Sequence, residues 1–336
     1  MGQRPDICVL VNPGAGRDAP EQKRAWLEAA CARHPGRFAL REIARGTPLS
    51  EQVRQVADDG FARIAAAGGD GTVAGVAAAL AGMDDAPDLA VIPFGTFNYF
   101  ARGIGLPLET GAAVDLAAGG EAHVVAAGEV NGQLFLNNAS LGLYPEVLRR
   151  REKIYAQYGR SRLAALWSVA RTILRAGGPE EMRVTLDGRA VRQRSPLVFV
   201  ARSAFQVERF GLPGAECIRG GRFAVFVAPD GSRAELLTLA ARLATGQIEP
   251  GRDFDWHCAE AVTIETRGRR RTIACDGERF DMTAPFRFTL RRNALRLVRP
   301  EGAERQSDQT GPARTGPGAG PGAGSGAGPG AAAEDT

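Results

Sequence analysis

The sequence predicts an α/β domain with a doubly wound parallel sheet, followed by a β-rich, sandwich-like domain. Strand and helix patterns alternate up to about residue 120, and period-two strand patterns separated by Asn-Gly and Asp-Gly pairs follow. A length of 336 residues with 44% hydrophobic content is enough for two cores. The predicted domains are 1–123, the α/β domain, and 124–300, the β-rich domain, with a disordered Gly/Ala/Pro-rich tail at 301–336.

The first domain is predicted to place three loops at one edge of its sheet. Its predicted strands lie at 7–11, 38–43, 64–67 and 89–92, and its helices at 21–33, after Thr47 and at 73–80. Thr47 is predicted to cap the second helix, with Pro48 and Glu51 in its first turn. Glycine-bearing loops at 12–17, 68–72 and 93–98 each follow a strand, so we expect them to converge.

The second domain is predicted from short strands and tight turns. Candidate strands lie at 124–130, 182–186, 197–201, 222–227, 262–266, 271–275 and 286–290. Asn131-Gly132, Asp187-Gly188 and Asp276-Gly277 are typical of type I′ hairpin turns. A helical stretch at about 145–175 combines basic and apolar residues. It suits an anionic bilayer surface, although packing of its apolar side on the β domain is the favoured interpretation.

Composition excludes several classes of protein. The net charge is only +4 and the arginines are scattered, which argues against nucleic-acid binding. The two lysines, Lys23 and Lys153, lie in neither a P-loop nor a protein-kinase motif. Five separated cysteines and three histidines do not form a zinc pattern, and we expect reduced thiols in a cytoplasmic protein. No apolar run approaches the roughly 18 residues of a membrane span.

The loop Gly68-Gly69-Asp70-Gly71-Thr72 points to phosphoryl transfer. Its glycines let backbone N–H groups approach a phosphate, and the helix that follows adds the positive end of its dipole. A carboxylate among them suits a site that also holds a metal ion or an acceptor hydroxyl. A tight strand-to-helix turn is the structural alternative for this loop and for the loop at 12–17, and an ordinary loop is the alternative for Gly95–Asn98.

Five motifs together resemble the diacylglycerol kinase catalytic-domain family, which includes bacterial diacylglycerol kinases and sphingosine kinases. They span about residues 5–298 in the family's order: Asn12-Pro13-x-x-Gly16, Gly68–Thr72, Gly95-Thr96-x-Asn98-x-Phe100-Ala101-Arg102, Asn137–Gly142 and Asp276-Gly277-Glu278. The resemblance implies ATP and Mg²⁺, a lipid hydroxyl as acceptor, and a site in the cleft between the domains.

The resemblance also implies roles for individual residues. Glu278 would be the general base, with Asp70 and Asp276 as further catalytic residues and as ligands of Mg²⁺. The nucleotide would be held by the residues of the three loops and by Thr47: Asn12, Gly14, Gly16, Arg17, Thr47, Gly68, Gly69, Asp70, Gly71, Thr72, Gly95, Thr96 and Asn98. An ordinary hairpin turn remains the alternative for Asp276-Gly277, and the proton acceptor could be Asp70 in place of Glu278.

Two departures from the family pattern stand out. Tyr99 occupies a place where the family often has Asp, which puts the contacts of that loop in doubt. The segment 218–225 lacks the Asp-Gly pair that serves a structural Mg²⁺ site in many bacterial members. We therefore expect no such site here, with Arg219 as a candidate replacement for the charge of the cation.

The expected function is an ATP-dependent lipid kinase at the inner face of the membrane. It would transfer the γ-phosphate to diacylglycerol or a related lipid alcohol, such as a sphingoid base or ceramide. Two alternatives stay open: a small-molecule kinase of the NAD kinase type, and a non-catalytic regulator that binds lipid or nucleotide. The sequence does not identify the lipid or the oligomeric state, for which a homodimer is one option.

Overall fold

The computed structural model describes residues 5–16, 18–142, 180–245 and 247–301. The elements of the first domain are β1 (Ile7–Val11), α1 (Pro20–Cys31), β2 (Phe38–Glu42), α2 (Leu49–Asp58), β3 (Arg63–Gly68), α3 (Asp70–Ala81), β4 (Asp88–Pro93), α4 (Tyr99–Gly103) and α5 (Thr110–Gly119). The described elements of the second are β5 (Glu121–Val130), β6 (Gln133–Phe135), β7 (Asn138–Gly142), β8 (Glu180–Leu186), β9 (Arg189–Ser195), β10 (Leu197–Ala201), α6 (Ala204–Arg209), α7 (Ala215–Arg219), β11 (Phe223–Val227), α8 (Arg233–Thr245), β12 (Asp255–Ala259), β13 (Val262–Thr266), β14 (Arg270–Cys275), β15 (Glu278–Thr283) and β16 (Phe286–Arg299). The predicted helical stretch at 145–175 and the tail beyond residue 301 lie outside the described residues.

The first domain has the predicted doubly wound architecture. Its parallel strands run in the order β2-β1-β3-β4. Successive side chains of β1 alternate between two cores: Leu10 packs with α2 and α3 on one face, and Val9 packs with α1 and α5 on the other. Burial on both faces explains why these strands are continuous apolar runs. Because β1, β3 and β4 are parallel neighbours, their carboxyl ends lie at the same edge of the sheet.

One long strand joins the two domains. β16 spans 14 residues, and a bulge between Arg291 and Leu295 separates its two halves. The second half lies parallel to β4, where Leu297 pairs with Leu89, and the first half pairs with β13. The sequence predicted only 286–290, because the polar run that starts at Arg291 interrupts the period-two pattern. The first sheet therefore continues through both domains.

The second domain is a sandwich, as predicted. Its second sheet, in the order β12-β11-β10-β7-β14-β15, packs on the first through a core that includes Phe135, Phe223, Phe286 and Phe288. Both residues of each predicted Asx-Gly turn have positive φ, which is the signature of type I′ turns. Four further strands were not predicted, because they are short, polar or at sheet edges: β6, β9, β12 and β15.

Two local predictions were wrong. Thr47 does not cap α2: Pro48 is the N-cap residue, no side chain accepts there, and Thr47 contributes its backbone carbonyl oxygen to Gln52 Nε2 (2.9 Å). The cysteines are not all reduced either. Cys217 of α7 and Cys258 of β12 form a disulfide, with Cα atoms 5.8 Å apart.

The remaining cysteines, Cys8, Cys31 and Cys275, are buried free thiols. In the described part of the chain, we find no helix with the length and apolar character needed to cross a bilayer.

Candidate active site

The loop between β3 and α3 forms the floor of the candidate site. α3 begins at Asp70, and Gly69 is its N-cap residue. A Cβ atom on Gly68 would lie 2.5 Å from the Thr72 side chain, so only glycine permits this tight turn. The first N–H groups of a helix have no acceptor within the helix. The first N–H groups of α3 lie at the carboxyl edge of the sheet, where they can donate hydrogen bonds to a bound anion.

The loop after β1 packs directly on this floor. The Asn12 amide donates from Nδ2 to Thr72 Oγ1 (2.8 Å) and accepts from the Gly14 N–H at Oδ1 (3.0 Å). Gly16 has a φ of +70°, and a Cβ atom there would lie 2.1 Å from the carbonyl oxygen of Phe94. Asn12 thus links the first loop to the second, and Gly16 brings the first against the third.

The loop after β4 is the third of the predicted loops, and it packs on the loop between β3 and α3. A Cβ atom on Gly95 would lie 2.7 Å from Gly69 Cα and 2.6 Å from Asn98 Oδ1. Asn98 takes the left-handed conformation (φ 51°) as the N-cap residue of α4. The Phe100 N–H in α4 donates to Asp70 Oδ1 at 3.0 Å. The three predicted loops therefore lie together, and Asp70 is oriented by the third of them.

Lys23 is a supporting residue that the sequence analysis missed. Its side chain is only 2% exposed, and Nζ donates to the carbonyl oxygens of Pro13 (2.8 Å) and Ala15. A lysine in α1 thereby holds the loop after β1 from behind. The signal was present in the sequence, since Lys23 is one of two lysines in an arginine-rich chain, but it served only to exclude other kinase motifs.

Glu278 comes from the second domain and reaches this floor. It is the first residue of β15, directly after the Asp276-Gly277 turn, and it is exposed. Glu278 Oε1 lies 3.5 Å from the position that a Cβ atom of Gly71 would occupy. The Glu278 carboxylate of the second domain thus faces Gly71 in the first turn of α3, and Gly71 directly follows Asp70. Asp70 and Glu278 therefore lie on opposite sides of the same cleft.

Asp276 has a different environment from Glu278. Its Oδ2 accepts from the Leu136 N–H (2.6 Å), and its Oδ1 accepts from the N–H groups of Asn137 (2.7 Å) and Asn138 (3.1 Å). Burial raises its pKa to about 6, the three N–H donors oppose the rise, and the Asp70 charge adds to it. A carboxylate with both oxygens occupied is a poor general base. The arrangement favours a positioning role for Asp276.

An aromatic cluster crosses the cleft beside Asp70. The Tyr99 ring stacks on Phe97 (5.4 Å between centroids) and contacts Phe205 (6.4 Å) and Phe210 (6.1 Å) of the second domain. Burial raises the pKa of the Tyr99 hydroxyl, the nearby Arg209 guanidinium opposes that rise, and Asp70 adds to it. Tyr99, which departs from the family pattern, therefore joins the two domains at the site.

The other predicted residues are placed as follows. Thr96 is exposed in the loop after β4, Thr47 is exposed between β2 and α2, and Arg17 lies outside the described residues. The phosphate contacts of these residues stay predictions. Within the described ranges, no group of three or more His, Cys, Asp or Glu side chains could hold a metal ion.

Arg219 occupies the segment in which no structural metal site is expected. Its guanidinium binds Glu208 of α6 (2.6 Å) and Glu216 of α7 (2.7 Å). The side chain therefore joins the two helices by charge, and its replacement of a cation's charge stays a prediction. The absence of a structural Mg²⁺ site there stays a prediction.

Comparison with known proteins gives a consistent result. Residues 6–130 match the diacylglycerol kinase catalytic domain. The chain is 26% identical to the diacylglycerol kinase of Bacillus subtilis over 303 residues, which cover 89% of this chain and 98% of that protein. It is 43% identical over 142 residues to a Pseudomonas aeruginosa protein named "Probable lipid kinase YegS-like", and this alignment covers 42% of this chain and 45% of the relative.

The fold is also similar to solved structures. A crystal structure of a diacylglycerol kinase from Bacillus anthracis superposes with a TM-score of 0.62 at 18% identity. It covers 89% of this chain and 98% of the other. A second structure from the same organism gives a TM-score of 0.67 at 21% identity. These likenesses show that the two-domain fold is shared.

Proposed function

The chain is a lipid kinase that carries a diacylglycerol kinase catalytic domain, and we propose that it transfers the γ-phosphoryl group of ATP to the hydroxyl group of a lipid alcohol. The observation that carries the proposal is the position of Glu278, within reach of the first turn of α3. A phosphate cradle and a proton acceptor from the opposite domain are thereby brought together across one cleft. Phosphoryl transfer requires these two parts.

The nucleotide phosphates would lie on the three loops of the first domain. The first N–H groups of α3, at Gly71 and Thr72, are suited to the β- and γ-phosphates. Asn12 keeps the Thr72 hydroxyl in place by donating to its oxygen, which leaves the hydroxyl proton for a phosphate oxygen. Lys23 stabilises the adjoining loop and does not contact the phosphates in this scheme.

The acids of the cleft fit a magnesium ion that is bound mainly by phosphate oxygens. Mg²⁺ is commonly held by one or two protein carboxylates together with substrate phosphates. Asp70 fits this role, because the Phe100 N–H engages its Oδ1 and orients Oδ2. Asp276 does not fit it, because three backbone N–H groups occupy its oxygens. Bound there, the cation would neutralise charge on the phosphates.

Glu278 is the general base of the proposed reaction. Its carboxylate accepts the proton of the lipid hydroxyl while the hydroxyl oxygen attacks the γ-phosphorus. The bond from the γ-phosphorus to the bridging oxygen breaks, and ADP leaves with that electron pair. Asp276 holds the hairpin turn that carries Glu278 against the start of β7, so it fixes where the base stands.

The function is tested by transfer of labelled phosphate from ATP to lipids in mixed micelles. The panel contains diacylglycerol, a sphingoid base and ceramide, and NAD is assayed beside it. We expect one of the lipids to be labelled in a Mg²⁺-dependent reaction and the Asp70→Asn variant to be inactive while still folded. Labelling of NAD alone would favour the NAD kinase alternative. ATP binding without turnover on any lipid would favour the regulator.

A further inference from the structure

Among the described residues, the proposed site offers little positive charge to a bound nucleotide. ATP carries about four negative charges at neutral pH, and the acids that face it, Asp70 and Glu278, add two more. Lys23 is occupied by two carbonyl groups, and Arg102 donates from Nε to the carbonyl oxygen of Phe97. One magnesium ion would balance only part of this charge. A cation from the other side of the cleft would stabilise the bound phosphates.

Arg209 is suitably placed to supply that charge. It is the last residue of α6, it is exposed, and it lies between Phe205 and Phe210 in the sequence. Both of these rings contact Tyr99, which immediately precedes the residue whose N–H binds Asp70. The guanidinium of Arg209 is close enough to the Tyr99 hydroxyl to interact with it.

We propose that Arg209 is a residue through which the described part of the second domain binds the nucleotide phosphates, and that Tyr99 is a positioning residue that holds its guanidinium beside Asp70. This inference rests on the proposed function. A guanidinium offers planar, paired N–H donors that match two phosphate oxygens, and it remains charged at any working pH. Glu208, the preceding residue, is engaged with Arg219, so the acid nearest in sequence is directed elsewhere.

A phosphate-binding role for Arg209 is compatible with a tyrosine at position 99. An aspartate there would form an ion pair with Arg209 and compete with the phosphates for its charge. A phenol hydroxyl orients the guanidinium by hydrogen bonding and does not neutralise it. The stack with Phe97 and the contacts with Phe205 and Phe210 fix the ring in turn.

The first test measures binding of a fluorescent ATP analogue without lipid, in wild type, Arg209→Ala and Arg209→Lys. We expect Arg209→Ala to weaken ATP binding at least tenfold, with little change in affinity for adenosine, and Arg209→Lys to recover part of the loss. Arg222→Ala removes another exposed arginine of the same domain and should change neither affinity. Thermal melting establishes that each variant is folded.

The second test concerns Tyr99. We expect Tyr99→Phe to weaken ATP binding two- to fivefold, and to have no further effect when combined with Arg209→Ala. Tyr99→Asp should weaken ATP binding more than Tyr99→Phe does, because it neutralises the guanidinium. A folded Arg209→Ala variant with wild-type ATP affinity would overturn the inference and leave the proposed function standing. Failure of the wild type itself to bind ATP would overturn both.

Discussion

Glu278 Oε1 in the second domain lies 3.5 Å from the point at which a Cβ atom of Gly71 would begin in the first domain. The two residues are more than two hundred positions apart in sequence, and they face each other across the cleft between the domains. Because Gly71 has no side chain, the carboxylate can approach the first turn of α3 closely. A base that takes the proton of an acceptor hydroxyl has to lie near the groups that hold the γ-phosphate.

Replacement of Glu278 by Gln should remove the proton acceptor while keeping the shape of the site. We expect kcat for lipid phosphorylation to fall by about 10²- to 10⁴-fold, the usual contribution of general base catalysis. The affinity for ATP should stay within about twofold, since the amide leaves the phosphate loops intact. Steady-state kinetics in micelles and direct binding of ATP separate the two quantities.

Glu260→Gln is the matched control for Glu278→Gln. Glu260 is an exposed acid of the same domain, and it lies 3.8 Å from Arg292 on the surface. Its replacement should leave kcat unchanged. A Glu278→Gln variant that keeps more than a tenth of the wild-type kcat would remove Glu278 from the role of base, and Asp70 would then be the candidate.

Gly16→Ala should damage the nucleotide site through a steric clash. Its Cβ atom would lie 2.1 Å from the Phe94 carbonyl oxygen, and its φ of +70° also disfavours a side chain. Gly46 has a φ of +88° with no atom within 4 Å of the added Cβ, so Gly46→Ala carries only the backbone cost, about 1 kcal/mol.

We expect Gly16→Ala to lose more unfolding free energy than Gly46→Ala and to weaken ATP binding at least tenfold. Denaturant unfolding and ATP titration measure the two effects. Equal behaviour of the two variants would show that the first loop can move away from the third, contrary to the packing described above.

The sequence predicted the parts of the site that depend on neighbouring residues in the chain. Gly68–Thr72 and Gly95–Asn98 lie at strand-to-helix junctions, and parallel topology brings such junctions to one edge. Glu278 could be placed across the cleft only through the family resemblance. Nothing in the local sequence determines how a hairpin of the second domain is oriented toward the first.

The features that were missed depend on contacts that are distant in sequence or not encoded in a pattern. The second half of β16 completes the sheet of the first domain by pairing with β4, across about two hundred residues. The disulfide between Cys217 and Cys258 joins a short helix to an edge strand that had not been predicted. Asp276 fits an ordinary Asp-Gly turn, and only the structure shows that its side chain binds the N–H groups of 136–138.

Lys23→Met should loosen the loop after β1 without removing any group that contacts ATP directly. The buried ammonium donates to the Pro13 and Ala15 carbonyl groups, which would lose these partners. We expect a loss of about 1–3 kcal/mol of unfolding free energy and a higher KM for ATP, with a smaller effect on kcat. Arg24→Met is the control, because Arg24 lies on the same helix but forms an exposed pair with Glu28.

Denaturant unfolding and steady-state kinetics test this pair of variants. If Lys23 instead contacted the phosphates during the reaction, kcat would fall strongly while the unfolding free energy changed little. That outcome would contradict the supporting role assigned here.

Asp276→Asn should be destabilising, and more so at low pH than at neutral pH. The amide would direct its own N–H₂ group at a backbone N–H donor, so that not all three of the hydrogen bonds accepted by Asp276 could be kept. Burial raises the pKa of Asp276 from its ordinary value of 3.8 to about 6, so the folded state binds the proton more tightly than the unfolded state does. The stability from this proton is complete below pH 3.8 and is lost as the pH rises through 6.

Asparagine does not titrate, so the difference in unfolding free energy between wild type and Asp276→Asn isolates this proton. We expect that difference to shrink by about 2 kcal/mol between pH 4 and pH 7, since each pKa unit corresponds to about 1.4 kcal/mol and the unfolded chain is already partly ionised at pH 4. Chemical denaturation at several pH values measures it. A difference that grows with pH would mean that the three N–H donors outweigh burial and that the turn holds a permanently charged carboxylate beside Glu278.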